Sequence, residues 1–389
     1  MRILYLIDSL DGGGAETSLV DTLPALIATG IDTTVVTLLA DDGVLRQRVR
    51  ATGSTTTHVD VRHPRPAWRQ LRALVARHEP DLIHTTLLRA DLIGRALGRR
   101  SGVPVVTTLP NDSYGPQHSR NARFGAWSVA AVGLLDRASS PLTTRVHAIS
   151  HTVAATMSRR LRIAPGRIDV VYRGRDQQRL GRWSTERRAR ARTGLGLAPA
   201  APVVAVVARL DRQKGVDTAI EAFALLRRRI PDAVLLIAGR AGNAAGDVHR
   251  LAGETPNVRL LGQRDDVPEL MCAADVLAFP SRWEGLGGTL LEAMALALPI
   301  VGTTIAPVAE TLAGVPWPLV PPDRADLLAA ELHTLLAGPA AHAAIGELGR
   351  QRFLQHFTTD AAAQGMAACY RRALNGSPVP LPTVKDIHR

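Results

Sequence analysis

A chain of 389 residues with 46% hydrophobic content is long enough to bury two cores, and disorder is excluded as its default state. It carries 47 basic against 35 acidic side chains, a formal net charge of +12, but only Lys214 and Lys385 are lysines, so the excess is arginine in an Ala-, Gly- and Pro-rich chain. With 4% aromatic residues and no zinc-finger spacing the composition argues against a nucleic-acid partner, and an anionic membrane surface stands as the more plausible acidic contact.

Only Cys272 and Cys369 occur, too few for a disulfide framework and without metal-ligand spacing, so two reduced, buried thiols are expected. No run approaches the ~20 apolar residues of a membrane-spanning helix. Asp8 follows the short apolar start MRILYLI directly, where a cleavable leader would need a longer apolar region. The expected location is cytoplasmic, at most peripheral on the inner face of a membrane.

Short β-branched runs alternate with longer helical patterns, which predicts βα units and parallel sheets. The predicted strands of the first half are Ile3 to Ile7, Thr33 to Leu39, Asp81 to His84, Val103 to Thr107, Val146 to Ile149 and Ile168 to Tyr172. Those of the second are Val203 to Val207, Val234 to Ala238, Val258 to Leu261, Val276 to Phe279 and Ile300 to Gly302. The expected organisation is an N-terminal doubly wound domain over 1–176, a polar and then Gly/Pro-rich linker over 177–201, and a C-terminal doubly wound domain over 202–355. A helix over 356–374 is expected to pack back on the first domain, ahead of a mobile tail over 375–389.

In such sheets ligands sit beyond the carboxyl ends of the strands. There the chain places DGGGAE (Asp11 to Glu16), ARLDRQKG (Ala208 to Gly215), AGRAGN (Ala238 to Asn243), and PSRWEGLGGTLLEAMA after Phe279. The last is the strongest signal. Gly285, Gly287 and Gly288 let backbone approach a ligand closely, and the N–H groups that open the following helix suit a diphosphate. Glu292, about a turn into that helix, could accept from a ribose diol, and Glu284, still in the loop, could reach sugar hydroxyls. The plain alternative makes Glu284 a solvated loop carboxylate and Glu292 a charge favoured by the helix dipole. Arg209 and Lys214 could bring a fork and a point charge to phosphate oxygens, although any one arginine of this chain carries little information.

These motifs, with AADVLAFPS, resemble in order and spacing the group 1 family of retaining glycosyltransferases, whose GT-B architecture pairs two Rossmann-like parallel-sheet domains facing each other across a cleft. The resemblance spans nearly the whole chain and is most specific in its second half. It implies a nucleotide-diphosphate sugar as donor, an α-linked product with retained configuration, and no required metal or cofactor; no Asp-x-Asp pair occurs in the sequence. By that similarity Arg209 and Lys214 bind the diphosphate, Glu292 the ribose and Glu284 the transferred hexose, assisted by backbone at Gly285, Leu286 and Gly287. Gly13 and Gly14 form the loop that closes over sugar and phosphate. Their spacing is not the Gly-x-Gly-x-x-Gly of dinucleotide folds, which argues against a nicotinamide cofactor.

Two departures bear on mechanism. Many members carry a histidine after the strand that here reads VPVVTTLPND, and this chain has Pro110 there; Asn111 is taken as the replacement catalytic residue, with Asp112, Tyr114 and His118 on the same loop. His84 is read as a satisfied strand-end histidine. A segment that normally offers Gly-Gly and Glu reads TTIAPVAE, so Glu310 remains a donor contact, with Thr303 and Thr304 beside it. The first domain should choose the acceptor, a cell-envelope, lipid-linked or secondary-metabolite molecule. Pro66 to His78 and Ser119 to Arg137 are each either a membrane-facing amphipathic helix or, the favoured reading, an ordinary sheet-covering one. Competing functions are a sugar-nucleotide epimerase of similar fold and a catalytically silent nucleotide-sugar-binding subunit.

Overall fold

The computed structural model describes residues 1–376 apart from 12, 42 and 116–125, and describes the backbone alone at 126–128 and 339–342. The chain divides into two compact units, one of residues 1–176 with the segment from Phe357 onward, the other of Gln177–His356.

In the first unit β1 (Arg2–Ile7), α1 (Gly14–Ala28), β2 (Asp32–Thr37), α2 (Val44–Ala51), β3 (Thr55–His58), α3 (Pro64–His78), β4 (Leu82–Thr86) and α4 (Leu88–Ser101) follow in order. They are succeeded by β5 (Val105–Leu109), α5 (Ala126–Ser139), β6 (Arg145–Ala148), α6 (His151–Leu161) and β7 (Ile168–Val170). The seven strands are all parallel, in the order β3-β2-β1-β4-β5-β6-β7. Side chains alternate across them. Leu4, Leu6, Ile83 and Val105 pack with α3 and α4, whereas Ile3, Leu82 and Val106 meet residues of the last helix, Thr359–Asn375.

The second unit runs α7 (Gln177–Leu180), α8 (Thr185–Gly194), β8 (Val203–Val207), α9 (Val216–Leu226), β9 (Val234–Ala238), α10 (Ala245–Glu254), β10 (Val258–Leu260) and α11 (Val267–Ala273). Then come β11 (Val276–Phe279), α12 (Gly288–Ala295), β12 (Ile300–Thr303), α13 (Ala306–Thr311), β13 (Leu319–Val320), α14 (Ala325–Ala337) and α15 (Pro339–His356). Its six parallel strands are ordered β10-β9-β8-β11-β12-β13. The chain returns to the first unit as α16 (Thr359–Asn375), capped where the Thr358 hydroxyl accepts from the Ala361 amide at 3.2 Å.

Two differences from the sequence reading have physical causes. Residues 177–201, expected as an interdomain linker, carry the helices α7 and α8 and belong to the second unit: Ser184 caps α8, Arg187 pairs with Glu269 at 2.7 Å, and Arg188 and Arg192 both grip Asp275 at 2.6 and 2.8 Å. The Arg-rich composition that suggested a linker is a set of ion-pair partners. Strand β3 reads Thr-Thr-Thr-His and lies on the sheet edge, where no apolar alternation is needed, and β13 is two residues long. Pro66 to His78 lies within α3, whose Ala67 and Leu71 are buried against the sheet, so its apolar stripe faces inward.

A buried polar chain fastens α16 to the first sheet. The His147 Nε2 lies 2.9 Å from the Val171 carbonyl, which can only accept, so Nε2 carries the proton. With the ring neutral, its Nδ1 accepts from the Thr108 hydroxyl (2.9 Å), which in turn accepts from His84 Nε2 (2.6 Å), leaving His84 Nδ1 to accept from the Tyr370 hydroxyl (2.6 Å). Every partner is satisfied with both rings uncharged. Burial pushes His147 down to about 4 and His84 well below its ordinary value, and the repulsion that a second protonated ring at His147 would bring adds to the His84 shift.

Candidate functional site

In the second unit the strand order reverses at β8, whose neighbours are β9 and β11, so the crevice beyond the carboxyl end of β8 is flanked by the loops after β8 and β11. These are the loops that carry Arg209 and Lys214 on one side and Glu284 to Gly287 on the other. They are stitched together. The Arg282 amide donates to the Gln213 carbonyl at 2.8 Å, and the Gln213 side-chain amide donates to the Trp283 carbonyl at 2.9 Å. Arg282 also donates to the Arg212 carbonyl at 2.6 Å and pairs with Asp217 and Asp323. Gly215 turns the chain from loop into α9 at φ +61°, and a Cβ there would strike the Pro280 carbonyl oxygen.

Within this frame Lys214 Nζ forms an ion pair with Glu284 Oε1, which also accepts from the Ser281 hydroxyl at 3.0 Å. The two side chains, 70 positions apart in sequence, are nearly buried. Arg209 is different: its side chain is 46% exposed and pairs with Asp211 at 2.9 Å, so its guanidinium stands at the edge of the loop. Gly285, Leu286 and Gly287 are buried, Gly287 has φ +91° at the cap of α12, and the Thr311 hydroxyl holds the Leu286 carbonyl at 2.8 Å. The Thr289 hydroxyl donates to the Val207 carbonyl at 3.1 Å, which seats the first turn of α12 against the residue that ends β8. Glu292 lies one turn further along that helix and is partly exposed.

Thr303 does not offer itself to a ligand. It is buried and donates to the Ser281 carbonyl at 2.7 Å, a support for the loop that holds Glu284, whereas Thr304 is exposed and Glu310 lies in α13. A cavity of about 330 Å³, which sequence reasoning missed, adjoins the same loops and is lined by Leu210, Gly239, Arg240, His249, Leu260 and Gln263. The Leu210 amide donates to the Arg240 carbonyl at 3.0 Å, and a Cβ on Gly239 would strike the Ala208 carbonyl. The signal was the AGRAGN loop, but His249 and Gln263 belong to no glycine-rich run.

In the first unit the strand order reverses at β1 in the same manner. Gly13 caps α1 and Gly14 is its first residue; the Glu16 carboxylate folds back over the space a Cβ on Gly13 would take, and Arg173 lies 3.5 Å from the corresponding position on Gly14. Asn111 follows β5, is partly buried, and accepts from the Ser113 hydroxyl at 2.6 Å. Its companions are committed elsewhere: Asp112 pairs with Arg160 at 2.9 Å, and the Tyr114 hydroxyl donates to Asp136 at 2.7 Å, which pairs with buried Arg95. His118 lies outside the described residues. His84 is buried within the chain described above.

Both halves of the chain match known glycosyltransferase domains. The model of glycosyltransferase family 4 matches residues 12–179, and that of glycosyl transferases group 1 matches residues 201–338. The D-inositol 3-phosphate glycosyltransferase of Segniliparus rotundus is 33% identical over 237 residues, 57% of this chain and 51% of that protein. The GDP-mannose-dependent monoacylated alpha-(1-6)-phosphatidylinositol monomannoside mannosyltransferase of Corynebacterium glutamicum is 34% identical over 187 residues, 46% of this chain and 49% of its own length. This chain thus spans about half the length of these two relatives. The crystal structure of Anabaena HepE in complex with UDP and glucose superposes with a TM-score of 0.81 at 23% identity, over 95% of this chain and 98% of that one. The first half of the chain thus carries a glycosyltransferase family 4 domain and the second a glycosyl transferases group 1 domain, on two Rossmann-like parallel sheets of the GT-B kind.

Proposed function

We propose that the protein transfers a hexose from a nucleotide-diphosphate sugar to an acceptor with retention of anomeric configuration, and that it needs neither metal nor cofactor. The observation that carries this reading is the Lys214–Glu284 pair at the crevice beside β8. An ammonium group has three donors and Glu284 takes one, which leaves two for phosphate oxygens while the carboxylate's other oxygen remains for a sugar hydroxyl. Arg209, exposed and held only at its loop's edge, would swing onto the diphosphate as a second cation. Together they would offset the charge that grows on the leaving diphosphate as the glycosidic bond breaks, the work a metal ion does in other transferases. One well-placed donor of this kind is worth about 2.7–4 kcal/mol of barrier.

The buried Gly285–Gly287 turn would bring backbone against the donor, and Glu292 would accept from its ribose. The 330 Å³ cavity beside Leu210 and Arg240 has room for the base. Residues 1–176 would hold the acceptor, of cell-envelope, lipid-linked or secondary-metabolite kind, with Gly13, Gly14 and Asn111 in the loops that follow β1 and β5. Among the described residues no helix is long and apolar enough to cross a membrane.

A thermal-shift screen of UDP-, GDP-, ADP- and dTDP-sugars should reveal one donor that raises the melting point. With that donor, Lys214→Ala and Glu284→Ala should each lower kcat by about a hundred- to a thousand-fold while leaving a folded protein. Transfer at the wild-type rate in both variants would overturn the site assignment. Release of nucleoside diphosphate only when acceptor is present would separate transfer from epimerisation.

A further inference from the structure

A cavity of about 560 Å³ opens in the second unit at the end of the sheet opposite the crevice. Its walls include Pro202, Asp275 and Pro299, the residues immediately before β8, β11 and β12. Catalytic loops sit beyond the carboxyl ends of those strands, so a strand of five residues, roughly 16 Å, separates the two places. Ligands of doubly wound sheets bind at the carboxyl ends, and nothing in the proposed reaction uses this side. The volume falls in the range that encloses a small organic ligand.

The lining selects the chemistry. Leu296, Leu298, Leu335 and Leu336 supply an apolar interior, and the polar groups are few: the Arg188–Asp275 ion pair and the Trp183 indole. A sugar or nucleotide would leave most of its hydrogen-bonding groups unpaired against such walls. An alkyl chain would not. The segment that carries Trp183, Gln177 to Arg192, is cationic at its surface. Of its six arginines, Arg187, Arg188 and Arg192 are neutralised by Glu269 and Asp275, whereas Arg179, Arg182 and Arg190 are exposed, Arg182 next to Trp183 in the chain. Arg350 reaches this edge by donating to the Ala295 carbonyl, one residue before the wall at Leu296. Burial holds its guanidinium below the ordinary value, and the charge of Arg182 lowers it further, against the opposing pull of Glu347. Arg182 by its place beside Trp183 and Arg350 by its bond to the Ala295 carbonyl thus bring two cations to this edge of the cavity. Trp183, 45% exposed at the mouth, has the apolar body and polar edge that suit the boundary between alkyl chain and headgroup.

We propose that this cavity takes one alkyl or isoprenyl chain of a phosphate-headed bilayer lipid, with Trp183 at the chain's entrance and Arg182 and Arg350 facing the phosphate. The site would tie the second unit to an anionic membrane independently of its donor chemistry, since lysine and carboxylate at the crevice play no part in it.

The full-length protein would be titrated calorimetrically with dodecyl phosphate below its micelle concentration, with dodecanol as the uncharged match, and sedimented with phosphatidylglycerol and with phosphatidylcholine vesicles. The expected result is saturable binding of one dodecyl phosphate per chain, at least tenfold weaker binding of dodecanol, and co-sedimentation with phosphatidylglycerol alone. Ala200→Phe, which places a ring at the exposed lip of the cavity, and Arg182→Glu should each weaken both interactions at least tenfold without shifting the melting point. Absence of saturable binding, or binding that neither substitution alters, overturns the site. Uptake of dodecyl phosphate without vesicle binding overturns the bilayer as its source, and self-association abolished by Ala200→Phe would give the cavity to a second copy of the chain.

Discussion

Gly215 and the two buried histidines show how much of this molecule rests on single side chains. Any residue with a Cβ at position 215 must hold a left-handed backbone and also displace the Pro280 carbonyl, against which the loop bearing Glu284 begins. Gly215→Ala is therefore expected to cost about 1–2 kcal/mol from the backbone alone, read as a lower urea midpoint, with a further loss of donor binding as the two loops part. For His147 the sign of the pH effect follows from its depressed value. The unfolded chain takes up a proton near 6.5 and the folded one only near 4, so stability present at neutral pH is lost as pH falls through that window. Wild type should lose up to about 1.4 kcal/mol per pH unit more than His147→Gln between pH 6.5 and 4. Urea midpoints of both proteins across that range test it. The comparison with the variant cancels groups that titrate the other way, such as Asp91, pushed up to about 8 by burial.

Helix α16 is the element with the most to lose. Its Ala363, Met366, Ala367 and Tyr370 share a core with Ile3, Leu82 and Val106, and its Arg372 reaches Asp169, which also pairs with buried Arg145 at 2.6 Å. Burial alone would raise the Asp169 carboxyl; the hydrogen bonds and charge of Arg145, joined by Arg372, hold it below the usual range instead. Tyr370→Phe removes the donor that serves His84 Nδ1 and should cost about 1–3 kcal/mol, the penalty of a buried acceptor left without a partner. Equilibrium unfolding of that variant measures it. A cost near zero would mean that His84 has found another donor.

At the scale of the whole molecule the two units are built differently. The second is a continuous stretch, Gln177–His356, with its own core around Phe223, Leu235, Val276 and Leu328. Expressed alone it should unfold cooperatively and still show a melting-point rise with the nucleotide that protects the full chain. The first unit needs the end of the chain: residues 1–176 without α16 leave Ile3, Leu82 and Val106 uncovered, and that fragment should aggregate unless residues 357–376 are supplied. Size-exclusion chromatography of the fragments checks both outcomes.

The sequence by itself determined the strands and the loops that matter. Runs such as Val203–Val207, Val234–Ala238 and Val276–Phe279 are apolar on both faces because helices cover both sides of a parallel sheet, and glycine and charge punctuate the turns that follow them. Those are local patterns, and the matches to the two glycosyltransferase domain models span the same segments. Strand β3 escaped because an edge strand of threonines carries no such pattern. Only the tertiary structure decided which distant residues meet: Lys214 with Glu284 across 70 positions, and Tyr370 with His84 across 286. It alone decided that Arg187, Arg188 and Arg192 are partners of Glu269 and Asp275 rather than a solvated linker. The reason is physical: a propensity belongs to a few neighbouring residues, whereas an ion pair, a register or a cavity exists only once chain entropy has been overcome and separate segments lie side by side.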